Sequence, residues 1–196
     1  MNAFSADHAR LAAALRQLAD IPDAELERAL ALFRPASLHR DEHLLRAGEE
    51  PATIAFVLSG ILRLYYLDEA GAEYTKSFCC APELVGAYSA LLLGEPSRLF
   101  IQAIEDASLL VADYAAYQRV ADGHICWQIA NRRIAETLFI KKEQREAALL
   151  LDDAATRYRQ FQADYPGLER RVRQHHIASY LGITPVSLSR IRRKLT

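Results

Sequence analysis

Apolar positions recur along this chain with three different rhythms. Near the start, Leu11, Leu15 and Leu18 sit at helical spacing, and Pro22-Asp23 opens a second helical stretch carrying Leu26, Leu30 and Leu32. From about residue 37 to 113 the rhythm shortens. Apolar or alternating runs at 54–58, 61–67, 74–78, 100–103 and 108–112 are punctuated by Gly48, Gly60, Gly71, Pro82, Gly86, Gly94 and Pro96. Short runs broken by turn residues roughly every ten positions predict an antiparallel barrel or sandwich. Asp68-Glu69-Ala70-Gly71 reads as the turn of one hairpin within it.

Helical texture then returns. Residues 124–151 contain no glycine or proline and are long enough for about seven turns. Their apolar side chains, among them Trp127, Ile134 and Leu138, spread over a wide stripe instead of one narrow seam. That width suits a helix covering the barrel with one side and pairing with a second copy through another. A further helix is expected over 152–164, ending at Tyr165-Pro166-Gly167. The chain therefore divides into a barrel with leading helices (1–122), a pairing helix (123–151) and a helical C-terminal domain (152–196).

Charge changes the picture by being uneven. The 196 residues carry a net charge of −1, yet residues 167–196 hold seven Lys/Arg against one acid. A basic end on an acidic body points to a polyanion met by that end alone. The three cysteines, Cys79, Cys80 and Cys126, make no disulfide framework, which suits a reducing cytoplasm. No signal peptide and no apolar run of roughly 18 residues is visible, so no membrane partner is expected.

The basic end is also patterned. Ile177 and Leu181 form an apolar pair, Ala178 is small where helices cross, and Gly182 follows where a sharp turn needs positive φ. Thr184 can cap a second helix with Pro185 in its first turn. At roughly 100° per residue, Leu188, Ile191 and Leu195 fall on one side of that helix. Val186, Arg190 and Arg193 fall opposite, flanked by Ser187, Ser189 and Lys194. Arginine forks, with Ser189 beside them, suit base edges; Ser187 and Lys194 suit phosphates. The pattern predicts a helix-turn-helix reading the major groove of double-stranded DNA.

Taken together with Arg46-Ala47-Gly48-Glu49 and the run Ile54-Ala55-Phe56-Val57-Leu58-Ser59-Gly60-Ile61-Leu62-Arg63, these motifs resemble the Crp/Fnr family of bacterial transcription regulators. The resemblance covers nearly the whole chain. It implies an α+β fold: an N-terminal antiparallel jelly-roll β-barrel of the cyclic-nucleotide-binding type, a long dimerisation helix and a C-terminal winged-type helix-turn-helix. It also implies a homodimer on a near-palindromic site, with RNA polymerase as a partner if the protein activates. By that similarity Pro185, Val186 and Arg190 reach base edges, and Gln174, His175 and Thr184 contact phosphates. Thr196 follows the second helix directly, so a full wing is not expected.

Cyclic-nucleotide-binding members of the family use a cassette beginning Gly-Glu and ending Arg-Ser/Thr. Here the matching segment runs from Gly86-Ala87-Tyr88 to Ser97-Arg98. Ala87 removes the ribose acceptor, and in register Ser97 takes the arginine's place and Arg98 the hydroxyl's. Losing the carboxylate costs roughly 1–3 kcal/mol of ribose pairing. The effector expected in this pocket is an unidentified small molecule, or none, instead of cAMP, and no cofactor is expected. Too few cysteines are present for an iron–sulfur cluster; His39, His43 and His124 remain available to a haem, while His39 and His43, four apart, fall in a turn-and-strand region where that spacing does not converge on a metal. No catalytic constellation points to an enzyme. A ligand-sensing module acting through protein contacts, without DNA, is the competing reading.

Overall fold

In the computed structural model, which describes residues 5–195, the elements follow the order the patterning suggests. Helices α1 (Ala6–Leu18) and α2 (Asp23–Leu30) come first. Strands β1 (Arg34–Leu38), β2 (His43–Leu45), β3 (Thr53–Ser59), β4 (Ile61–Leu67), β5 (Glu73–Cys80) and β6 (Leu84–Val85) follow. Then come α3 (Tyr88–Leu93), β7 (Phe100–Ala103), β8 (Ala107–Asp113) and α4 (Tyr114–Ala121). Helices α5 (Ile125–Leu151), α6 (Ala154–Asp164), α7 (Gln174–Leu181) and α8 (Pro185–Leu195) complete the chain, with a 3-10 turn at Leu168–Arg170. This is an α+β fold in which strands order as β1-β8-β3-β6 in one sheet and β2-β7-β4-β5 in the other.

The chain separates into two compact units. One comprises Met1–Leu64 and Phe78–Glu136, the other Tyr65–Ser77 and Thr137–Thr196. In the first unit the two sheets enclose a core that includes Ala55, Val57, Leu62, Leu64, Leu99, Ile101 and Leu109. A second core lies on the far side of the β3–β8 pair, where Phe56, Leu58, Leu110 and Ala112 meet Leu11, Leu15, Leu26, Leu30, Tyr117 and Trp127. β3 and β8 pair antiparallel with Phe56 opposite Leu110. Both strands are thus covered on both faces along most of their length, which explains why 54–58 and 109–112 read as unbroken apolar runs without alternation.

Local chemistry sets the element ends. Asp113 caps α4 by accepting from the Ala116 N–H at 2.7 Å, and Asp153 caps α6 by accepting from the Thr156 N–H at 2.7 Å. The bond from Thr156 also holds the Asp153 carboxyl below its ordinary range. Gly60 joins β3 to β4 at φ 88°, and a Cβ there would stand 2.6 Å from the Asp106 carbonyl, so only glycine fits. The expected hairpin turn forms at Asp68: its carboxylate accepts from the Ala70 and Ala72 N–H groups.

The short strands β1, β2 and β6 and the helices α3 and α4 are not among the expected elements. β2 and β6 are only three and two residues long, too short for a period-2 signal to register. Leu32, grouped by spacing with the second helix, falls just past the end of α2. Among the described residues, no helix is long and apolar enough to cross a membrane.

Trp127 ties α5 into the first unit. It is fully buried, its indole N–H donates to Glu25 at 3.1 Å, and its ring meets Tyr117 edge-on at 6.0 Å. Burial pushes the neighbouring Tyr117 phenol up to about 12. Trp127→Ala should lower unfolding stability by about 3–5 kcal/mol, read as a shift of the urea midpoint. A loss below about 1 kcal/mol would contradict this packing.

Candidate nucleic-acid interface and effector pocket

In the C-terminal helices the pattern of apolar, small and capping residues packs α7 against α8 across a tight turn. Ile177, Ala178, Leu181 and Leu188 are all fully buried, and Phe161, Leu168 and Tyr158 join them from α6 and the 3-10 turn. Gly182 ends α7 in the left-handed region at φ 68°. A Cβ at Gly182 would lie 3.3 Å from the Leu149 side chain, so both backbone and space favour glycine. The Thr184 hydroxyl accepts from the Ser187 N–H at 3.2 Å and caps α8.

Each of the last four carbonyls of α7 is satisfied. Ala178 accepts from Ile183 and Ser179 from Gly182. The remaining two are taken by arginines of preceding helices: Arg145 donates to the Tyr180 carbonyl and Arg157 to that of Leu181 at 3.0 Å. These cations sit at the negative end of the helix dipole. The Arg145 guanidinium also stacks 3.8 Å from the centroid of the Tyr180 ring.

On α8 the faces separate as the spacing predicts. Val186, Ser189, Arg190, Arg193 and Lys194 are exposed, with Pro185 at the start of the same surface. Leu188 is buried and Ile191 half-buried; the Leu195 side chain lies outside the described residues. The expected phosphate contacts divide. His175 is exposed, whereas Gln174 donates its amide to the Pro185 carbonyl at 3.0 Å. Ser187 is half-buried, its hydroxyl 3.0 Å from that of Thr184. Gln174, Thr184 and Ser187 therefore shape the turn between the helices as well as standing at its edge.

A polar network behind α8 escapes the spacing argument. Arg192 points away from the exposed face and donates to the Tyr158 hydroxyl at 3.1 Å. Tyr158 donates in turn to Glu169 at 2.6 Å, which also accepts from Gln162 at 2.9 Å. The bonds from Tyr158 and Gln162 hold the Glu169 carboxyl below its usual range. Neither Tyr158 nor Glu169 carries a helical or charge pattern of its own, so sequence had no signal for them.

Along α5 the expected pairing residues part company. Trp127 lies inside the first unit's core and is closed to a partner. Ile134 is half-buried and Leu138 exposed. Phe139 and Ile140 are also exposed, and Leu150 and Leu151 show 77% and 82% of their surface.

In the cassette region, β6 leads through Gly86 to Ala87, which is buried and precedes α3; Tyr88 begins that helix. Ser97 is buried, and its hydroxyl donates to the Leu99 carbonyl at 2.9 Å while accepting the Leu99 N–H at 3.1 Å. Its backbone pairs with Gly48 and Glu49, at 2.7 and 2.8 Å. Arg98 is exposed. A recess of 170 Å³ lies nearby, lined by Leu44, Leu45, Glu49, Glu50, Pro51, Ala52, Thr53 and Ile101 and by none of the cassette side chains. Among the described residues, no group of three or more His, Cys, Asp or Glu is placed to hold a metal.

Residues 35–124 match the sequence model of the cyclic nucleotide-binding domain. No curated protein matches the chain by sequence. Among solved structures, FixK2 from Bradyrhizobium japonicum superimposes with a TM-score of 0.71 at 22% identity, over 83% of this chain and 84% of its own. The c-di-GMP-responsive global regulator CLP of Xanthomonas campestris gives 0.69 at 15% identity, over 89% and 91%. The Thermus thermophilus Catabolite Activator Protein gives 0.56 at 22% identity, over 90% and 84%. The likeness at these identities is one of fold.

Tyr158→Phe removes the hydroxyl shared by Arg192 and Glu169. Because Glu169 titrates below its ordinary value when folded, its stabilisation is present above the unfolded carboxylate pKa and fades as pH falls through the lower folded one. The variant should be less stable at neutral pH by about 1–2 kcal/mol, and its further loss on acidification should be shallower than that of the parent. Parallel acid limbs in urea titrations would contradict the network.

Proposed function

We propose that this chain, which has the cyclic nucleotide-binding domain and the fold of the Crp/Fnr regulators, is a homodimeric, sequence-specific DNA-binding transcription regulator. The observation that carries this reading is the exposed Val186, Ser189, Arg190 and Arg193 face of α8, backed by buried Leu188. A helix held from behind presents its forks with less ordering left to do on binding. Arg190 and Arg193 suit the two acceptors of a guanine edge and Val186 the methyl of thymine. His175, Thr184, Ser187 and Lys194 stand where the flanking phosphates would run, with Gln174 bracing the turn.

Dimerisation supplies the second half-site. The exposed Leu138, Phe139, Ile140, Leu150 and Leu151 leave apolar surface along α5 that a second copy would cover. Two recognition helices in successive grooves would then stand about 34 Å apart. Leu138→Asp should shift the protein toward monomer in sedimentation velocity and weaken binding to a two-half-site duplex. An unchanged sedimentation coefficient would place the interface elsewhere.

Any signal received by the barrel is not a cyclic nucleotide held in the usual way. Ala87 offers no carboxylate to a ribose, the Ser97 hydroxyl is engaged by Leu99, and Arg98 is turned to the surface. Calorimetric titration with cAMP or cGMP is expected to show no binding at micromolar concentrations; saturable heat would overturn this part of the reading.

Selection from random duplexes should enrich a near-palindromic site. On that site Arg190→Ala should cost about 1–3 kcal/mol and relax preference at one base pair, while Lys194→Ala should reduce the salt slope by about one without changing preference. Failure to enrich any site, with or without candidate small molecules, would favour a module working through protein contacts alone.

A further inference from the structure

The edge of the second sheet has a helix residue bonded to it. β5 is the outer strand of the order β2-β7-β4-β5, so one side of its backbone has no strand neighbour there. Along that strand the Thr75 N–H donates to the Ser179 hydroxyl at 2.8 Å, and the same hydroxyl donates to the Glu73 carbonyl at 2.7 Å. A strand exposes such an N–H and C=O in register two residues apart, as half of an unmade ladder. One serine hydroxyl, with one proton and free lone pairs, satisfies both. Glu73, Thr75 and Ser179 belong to the same compact unit.

Ser179 lies on α7, in the turn of that helix whose final carbonyls Arg145 and Arg157 hold. The three attachments leave the opposite end of α7 at the surface: His175 is exposed, as is the reading face of α8. Nothing else in the sequence explains a serine here. Its neighbours Ala178 and Tyr180 are buried in the helical core, and an alanine would serve the packing equally well.

We propose that Ser179 is a positioning residue, through which the β4–β5 hairpin holds the helix-turn-helix in its DNA-reading pose. The proposal rests on the DNA-binding reading above. β4 and β5 each continue from the hairpin into the barrel unit, where Ile61, Leu62 and Phe78 are buried. Ser179 contributes no base or phosphate contact; it fixes where the contacts are made.

The test uses the full-length chain with Ser179→Ala and Ser179→Thr, comparing amide hydrogen exchange with affinity for the selected duplex across salt concentrations. Ser179→Ala is expected to accelerate exchange at Thr75 and along α7. Affinity should fall about fivefold, within the range of one or two lost neutral hydrogen bonds, while the salt slope stays unchanged because no phosphate contact is lost. Ser179→Thr keeps the hydroxyl and should restore both. Unaltered exchange at Thr75 in Ser179→Ala would overturn the proposal. So would faster exchange with undiminished affinity, which reduces the contact to a cover for a bare strand edge. A reduced salt slope would overturn it too, by making Ser179 a phosphate ligand. Should the unmodified chain bind no duplex, the DNA-binding reading falls and takes the reading pose with it, an outcome distinct from unaltered exchange at Thr75, which overturns the contact itself.

Discussion

On the proposed reading an arginine reaches a base edge only from a helix that does not roll, and the packing behind α8 in the C-terminal unit opposes that roll. Leu188 is fully buried, and Arg192 reaches backward to Tyr158. With the hydroxyl of Tyr158 bound to Glu169, the back of α8 is fixed by one apolar anchor and one charged one. The guanidinium groups of one helix thereby take separate roles, Arg192 holding the helix while Arg190 and Arg193 are presented. An anchor of this kind is specific in azimuth, because a hydrogen bond tolerates less rotation than an apolar contact does.

The same logic extends to α7. An eight-residue helix is too short to be stable alone. Here its C-terminal carbonyls receive two arginines and its side is bonded to a strand edge. These attachments come from three different stretches of chain, so α7 is positioned by the unit as a whole. The barrel is held in a different way. Its interior is filled by Val57, Leu62, Leu64, Val85, Ala87, Leu99 and Ile101, and the loop bearing Ser97 closes on its own backbone.

How much of this is legible in the sequence depends on the range of each interaction. The helix-turn-helix is legible because its determinants are local: the Ile177–Leu181 spacing, the positive φ at Gly182 and the Thr184 cap all act within a few residues. Strands β3 and β8 are legible as apolar runs because both their faces are buried. α3 and the two-residue β6 are not, since neither is long enough to show a period. The long helix α5 is legible in extent but not in orientation. Spacing groups Trp127 with Ile134 and Leu138, yet Trp127 is drawn into the core by Tyr117 and by Glu25, which lies 102 positions earlier in the chain. Tyr158, Glu169, Arg145 and Ser179 are invisible to pattern reading for the same reason: each acts on a partner distant in sequence or through a hydroxyl that any surface serine could carry.

The claim that one face of α8 reads while the other holds is tested most directly by arginine side-chain NMR. The Nε–Hε resonances of Arg190, Arg192 and Arg193 would be followed as a selected duplex is added. The account requires Arg190 and Arg193 to shift and become protected on saturation, with Arg192 already protected in the free protein and little changed by DNA. Large changes at Arg192 with Arg190 and Arg193 still in the solvent would contradict it.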